Sequence, residues 1–174
     1  LEYPPGILHV VDISDPSSPR SLSSLELGFG AVNLIASGGL VYVGKGWGLT
    51  IVDVSDPREP SEVSSYSTKG MVMQVVLLDS LAFLGVKEGY VEVVDVSDPE
   101  EPVLIKRIDI GPKVKALFVA GPYLYVGAEG ALHIIDISDL DEIRFVGRYS
   151  LPPGRFGHKS APDDIFVVGD RAYL

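Results

Sequence analysis

Eight aspartates recur in pairs, and paired carboxylates at short spacing are the first residues here that could do chemistry. Asp12, Asp53, Asp95 and Asp136 each stand three residues before a second aspartate, namely Asp15, Asp56, Asp98 and Asp139. Carboxylates so placed could hold a hard cation such as calcium. The run Asp-x-Ser-Asp lacks the third acidic ligand, and the downstream glycine and glutamate, that complete a calcium loop, so no metal is expected. Turn chemistry accounts for the spacing better. The second carboxylate caps a turn, and the proline that follows Asp15, Asp56 and Asp98 presets φ at the next position. Asp15, Asp56, Asp98 and Asp139 are therefore read as structural turn residues.

The other chemistry-bearing residues are sparse. His9 and His133 share one register, three residues before Asp12 and Asp136, where the remaining copies carry Thr50 and Glu92. Equivalent positions fall on different repeats, so the two imidazoles are not expected to meet on one ion. They read as occupants of a strand position that tolerates polarity. His158 stands beside Arg155, Phe156 and Lys159 in a longer connection. Gly44-Lys45-Gly46-Trp47-Gly48 has the glycines of a phosphate cradle. Such cradles work because a helix N-terminus follows, and here a strand-like run follows instead. Trp47, the only tryptophan, is then a loop aromatic of the kind that anchors partners. No cysteine is present, which removes thiolate chemistry, disulfides and cysteine metal sites. No nucleophile–base pair can be named, and no cofactor is implied.

What positions these residues is a repeat. Ile7–Pro16, Gly48–Pro57, Tyr90–Pro99 and Ala131–Leu140 restate one pattern, with first aspartates 41, 42 and 41 residues apart. A strand-like period of this length marks a propeller-type array. Each period holds four short strand candidates, A to D, separated by turn residues. In the second period these are Ala31–Ala36, Leu40–Val43, Leu49–Val54 and Glu62–Ser67. The third gives Val72–Leu78, Leu81–Leu84, Tyr90–Val96 and Val103–Asp109. The fourth gives Val114–Val119, Tyr123–Val126, Leu132–Ile137 and Ile143–Tyr149. Strands C and D open the chain (Ile7–Ile13, Ser21–Leu27), and A and B close it (Ile165–Val168, Arg171–Leu174). Strands A and C are nearly continuous Val, Ile and Leu, which predicts burial on both faces. One insertion, Ser150–Asp164, lengthens a D–A loop.

The runs Leu8–Asp12, Leu49–Asp53, Val91–Asp95 and Leu132–Asp136, each leading into Ser-Asp-Pro or Ser-Asp-Leu, resemble the LVIVD repeat family. The resemblance covers essentially the whole chain. It implies a β-propeller-like fold in a bacterial or archaeal protein, with an extracellular or cell-surface location. It imports no catalytic residue, because the motif is structural. The Gly-His and Trp-Asp signatures of WD40 repeats are missing.

Composition agrees with a folded all-β chain. The 174 residues are 46% hydrophobic, and a net charge of −10 argues against a general nucleic-acid binder. Asn33 and Gln74 are the only amides, a thermophile trait that a charged fraction of 22% does not reinforce. No apolar run is long enough to span a membrane, and no signal peptide is visible. The chain starts at Leu1 without an initiator methionine and stops within an apolar run. Residues 1–174 are accordingly expected to be one repeat region, an arc of three full blades and two half blades from a larger ring.

Alternating strand direction puts the A–B and C–D turns at one end of the blades and the B–C and D–A loops at the other. The first end collects acids such as Glu59, Asp79, Glu100, Asp141 and Asp170. The second collects Lys45, Lys69, Lys87, Lys113, Lys115, Arg155 and Lys159 against Glu88, Glu129, Asp163 and Asp164. The expected function is a scaffold that binds a protein or anionic ligand at the basic loop end, through Lys45, Trp47, Lys87, Arg155, Phe156, His158 and Lys159. The alternative is an enzyme, a hydrolase or oxidoreductase whose site further blades complete.

Overall fold

The computed structural model describes residues 5–28, 30–154 and 159–174. They form sixteen strands and, among the described residues, no helix. β1 (Gly6–Asp12) and β2 (Arg20–Gly28) make a two-stranded half blade, blade 1. β3 (Ala31–Ser37), β4 (Leu40–Lys45), β5 (Gly48–Asp53) and β6 (Ser61–Ser67) make blade 2. β7 (Val72–Leu78), β8 (Leu81–Val86), β9 (Tyr90–Asp95) and β10 (Val103–Asp109) make blade 3. β11 (Val114–Ala120), β12 (Tyr123–Ala128), β13 (Ala131–Asp136) and β14 (Arg144–Ser150) make blade 4. β15 (Phe166–Val168) and β16 (Arg171–Tyr173) are the half blade 5. Every sheet is antiparallel with sequential strands adjacent, and β1–β2 and β15–β16 are separate sheets, so the two half blades do not pair into one.

The A–B turns show how local sequence sets register. Gly38 (φ 59°) and Gly39 (φ 81°) supply the two positive φ angles of the tight hairpin turn between β3 and β4. In blade 3 the same turn begins with Asp79 at φ 52°, a conformation an aspartate tolerates better than most side chains. The register that follows puts Tyr42 opposite Ile51 and Phe83 opposite Val93.

The core lies in the joints between blades rather than inside any one of them. On β8, Ala82 and Leu84 face blade 2, where they meet Leu49 and Ile51. The intervening Phe83 faces the other way and packs with Leu124, Val126 and Ile135 of blade 4. A smaller cluster of Leu8, Leu27, Val41, Val43 and Val52 joins blades 1 and 2. Each such side chain taken from water contributes roughly 1.5–3 kcal/mol. Strands B and C are therefore the ones buried on both faces, as in β5, β8 and β9. The expectation for strand A is corrected: β7 is only partly covered and β3 is largely exposed. Strand A is the edge strand of its sheet, so although β7 packs toward both neighbours it lacks a strand on one flank, whereas B and C sit in the middle of a sheet.

Close approach at each joint requires a residue without a side chain. Gly44 of β4, Gly85 of β8 and Gly127 of β12 share one register. A Cβ on Gly44 would lie 2.9 Å from the Val75 side chain, and one on Gly85 would lie 3.1 Å from both Leu117 and Val114 of the next blade. At Gly127 the neighbours would be Pro162 at 3.1 Å and Ile165 at 3.2 Å. Beside these glycines, side-chain amides stitch one A strand to the next. Val75 N–H donates to Asn33 Oδ1 (2.8 Å), and Leu117 N–H donates to Gln74 Oε1 (2.5 Å). The two amides thus hold joints between blades.

Gly85→Val should destabilise the chain by about 1–3 kcal/mol, the usual cost of overpacking, with Gly85→Ala costing less. Urea unfolding followed by far-UV circular dichroism measures it. A midpoint unchanged in the valine variant would mean that the joint is loose.

Candidate functional site

The aspartate pairs do turn work at both positions. Asp12, Asp53, Asp95 and Asp136 accept the backbone N–H of Ser14, Ser55, Ser97 and Ser138 at 2.9, 2.7, 2.8 and 3.0 Å. Asp15, Asp56, Asp98 and Asp139 accept the N–H of Ser17, Arg58, Glu100 and Asp141 at 3.0, 2.9, 2.9 and 2.8 Å. Bonds chiefly to serine O–H and then N–H groups hold the carboxyls of Asp15 and Asp136 below the usual carboxylate range, and Asp12, Asp53 and Asp95 are lowered chiefly by the serine N–H. Among the described residues, no group of three or more histidine and carboxylate side chains could hold a metal ion.

The opposite end of the blades carries the predicted binding residues. Backbone bonds from Gly46 N–H to Gly30 (2.9 Å) and from Thr68 N–H to Trp47 (2.8 Å) hold the B–C loop of blade 2 against the neighbouring D–A connections. Lys45 and Trp47 meet there, on a cleft of about 370 Å³ that also touches Gly48, Thr50, Ser65 and Met71. Trp47 is 62% exposed. The Lys45 ammonium donates to the Leu27 carbonyl at 2.5 Å, which ties it to blade 1. Lys87 is exposed on the corresponding loop of blade 3, and Lys159 is exposed beside Gly130 of blade 4. Arg155, Phe156 and His158 lie outside the described residues.

The loop end is less basic than its composition suggests. Lys113 pairs with Glu129 at 3.2 Å and Lys115 with Asp163 at 3.1 Å, so these acids offset part of the charge. Glu88 accepts the Met71 N–H at 2.9 Å. Lys69, Lys87 and Lys159 remain exposed along the arc.

A more ordered polar cluster sits where the sequence suggested only tolerance of polarity. Glu92, 1% exposed, accepts from the Arg107 guanidinium at 2.5 Å and from the Tyr66 hydroxyl of blade 2 at 2.9 Å. Arg107 in turn covers the Tyr90 ring, 4.3 Å from its centroid. Burial, and then the Glu92 carboxylate, push the Tyr66 hydroxyl well above its ordinary range, so it stays a donor. The Tyr90 hydroxyl, near the Lys69 backbone, has no partner of hydrogen-bond length. The equivalent His133 of blade 4 is also buried, with Nε2 unpartnered and a T-shaped contact to Phe145 at 6.2 Å. Burial, and secondarily the Arg148 charge, hold its imidazole below the ordinary range, which favours the neutral ring. The signal that could have found this cluster was pairing across strands: Glu92 opposite Arg107, and His133 opposite Arg148.

Four-stranded antiparallel blades, cored at their joints and capped by Asp-Ser turns, define a propeller-like repeat protein. The LVIVD repeat model matches residues 6–25, 30–68, 69–110 and 111–150, and the chain belongs to that family. Comparison with curated proteins finds no match. Among solved structures, a functionally unknown protein from Desulfotomaculum acetoxidans DSM 771 is similar with a TM-score of 0.70 and 13% identity, over 80% of this chain and 48% of that one. The computationally designed Ika8 protein gives 0.67 and 17%, over 89% and 46% of the two chains. The designed Ika4 protein gives 0.61 and 16%, over 83% of each. At these identities the likeness is one of fold. The chain spans about half the length of the first two.

Two outcomes test this geometry. Carboxyls depressed in the fold contribute stability above their unfolded value near 3.8, and lose it as pH falls through the folded value. The melting temperature should therefore drop steeply below about pH 4, more shallowly in an Asp53→Asn, Asp95→Asn variant. An identical acid limb would remove these turns from the account. Arg107→Met should cost about 1–3 kcal/mol by leaving Glu92 buried with Tyr66 alone, with part recovered on adding Glu92→Gln. No loss in the single variant would make the pair incidental.

Proposed function

We propose that the chain is a binding scaffold of a bacterial or archaeal surface protein, with its partner face at the B–C and D–A loop end. The observation that carries this is Trp47, 62% exposed and lining a cleft at the β4–β5 hairpin. A fixed, exposed aromatic offers contact area at low entropic cost, which is how anchor residues work. Lys69, Lys87 and Lys159 stand at the same end and favour a partner of acidic or anionic character. Their field acts locally although the net charge is −10, and it acts mainly on encounter. The enzymatic alternative draws no support from any nucleophile–base pair among the described residues. Fold alone does not decide between them, since such scaffolds host both kinds of site.

The test is charge reversal on a captured partner. Lys87→Glu with Lys159→Glu should weaken binding about three- to tenfold at low salt, and the difference should shrink as ionic strength passes physiological. Arg58→Glu, on the turn end, should leave binding unchanged. Loss from the Arg58 change alone would put the partner on the other end of the blades.

A further inference from the structure

The outer rim of the blades changes character along the chain. Strand D is an edge strand in every full blade, paired on one flank only. Its first two positions, next to the C–D turn, are Ser61 and Glu62 in blade 2, Val103 and Leu104 in blade 3, and Arg144 and Phe145 in blade 4. β10 exposes Val103, Leu104 and Ile105 in succession, at 59, 41 and 44%. Blade 3 packs against a full blade on either side, so its rim is not bared by a missing neighbour. Phe145 and Val146 continue the apolar rim on blade 4, each 52% exposed. β6 exposes no large apolar side chain.

An apolar edge strand is a template for pairing, and folds blunt it with a charge, a proline or a bulge. A bulge interrupts strand D in all three full blades, so it does not set β10 apart. No charge breaks the run Val103–Ile105. Its flanks identify the occupant. Glu100 and Glu101 precede the run and are exposed, and Lys106 and Arg107 follow it. A strand that reads acid, apolar, base is complementary to itself when laid antiparallel. That is what a two-fold interface requires, because one patch meets its own copy. With the axis at Leu104, Val103 falls opposite Ile105 of the other copy, and Glu100 and Glu101 fall opposite the Lys106–Arg107 pair. Blade 4 repeats the order, with Asp141 and Glu142, then Phe145 and Val146, then Arg148. An axis running along the rim flips both strands at once.

We propose that the rim of blades 3 and 4 is a two-fold interface with a second copy of this chain, centred on Leu104. The contact lies on the outer edge, away from the loop end, so it neither uses nor hides Trp47 and the exposed lysines. The flip between copies points the two loop ends in opposite directions, which makes the pair bivalent. The two readings fail separately, since Lys87 and Lys159 are not on the rim.

Sedimentation equilibrium of the full chain should give a mass rising from 18.7 kDa toward twice that value as concentration reaches the order of 100 µM, the regime of a small interface. Leu104→Lys sets like charges against each other at the axis and should weaken the association at least about tenfold. Glu62→Lys, at the same register of blade 2, should leave it unchanged. Glu101→Lys should weaken it about three- to tenfold, with part recovered on adding Lys106→Glu, a rescue that a folding defect does not show. The chain has no cysteine, so Leu104→Cys adds a single thiol, which at the axis lies within disulfide reach of its own copy. Mild oxidation should cross-link that variant into a dimer, whereas Tyr173→Cys, on exposed β16, should stay largely monomeric. A chain that remains at 18.7 kDa at that concentration, an association that Leu104→Lys leaves intact, or cross-linking through Tyr173→Cys in place of Leu104→Cys would overturn the interface.

Discussion

Everything in this fold depends on how closely one blade can approach the next. The approach is set at Gly44, Gly85 and Gly127, where strand B has no side chain and the neighbouring A-strand or connecting residues fill the space. With the backbones that close, Asn33 and Gln74 can reach across and bond the next A strand. The same closeness gives Phe83, Leu84 and their equivalents a partner on each side, so both faces of strands B and C are apolar. Loosen the glycine contact and the amide bridge and the joint core lose their geometry together.

The turns at the other end solve a separate problem. Each C–D connection leaves backbone N–H groups facing water, and two carboxylates per repeat satisfy them at fixed distances. Because these bonds are local, they set where strand C stops and D begins without reference to the neighbouring blade. A few contacts then tie the turn to the neighbouring blade: the Ser23 and Ser64 hydroxyls donate to the Pro57 and Pro99 carbonyls of the next blade, at 2.7 and 2.6 Å. Local capping fixes the blade, and reaching serines fix its place.

The repeat made most of the architecture legible in advance. Strand order, antiparallel pairing and element bounds within about two residues follow from a pattern stated four times, and turn chemistry follows from Asp-x-Ser-Asp. What stayed hidden depends on pairs distant in sequence. Glu92, Arg107 and Tyr66 read separately as a polar strand residue, a surface cation and an outer aromatic, and only register and blade contact bring them together. Strand A misled for a related reason: a Val-rich run looks the same at the edge of a sheet as in its middle. The candidate binding residues were legible as types, since Trp47 is a lone loop aromatic. The cleft beside it gathers residues from Gly30 to Met71 and forms only once blade 2 has folded.

Such a repeat protein can diversify one register at a time. One register carries Thr50, Glu92 and His133 in successive full blades, while the glycines and apolar joints around it stay the same. Each repeat contacts only its neighbours, so a change in one slot is felt little two blades away. The array can therefore hold chemically different buried groups side by side, a neutral hydroxyl in one blade, a carboxylate in the next and an imidazole in the third. A duplicated repeat enters such a series with its walls already built, free to acquire a content of its own.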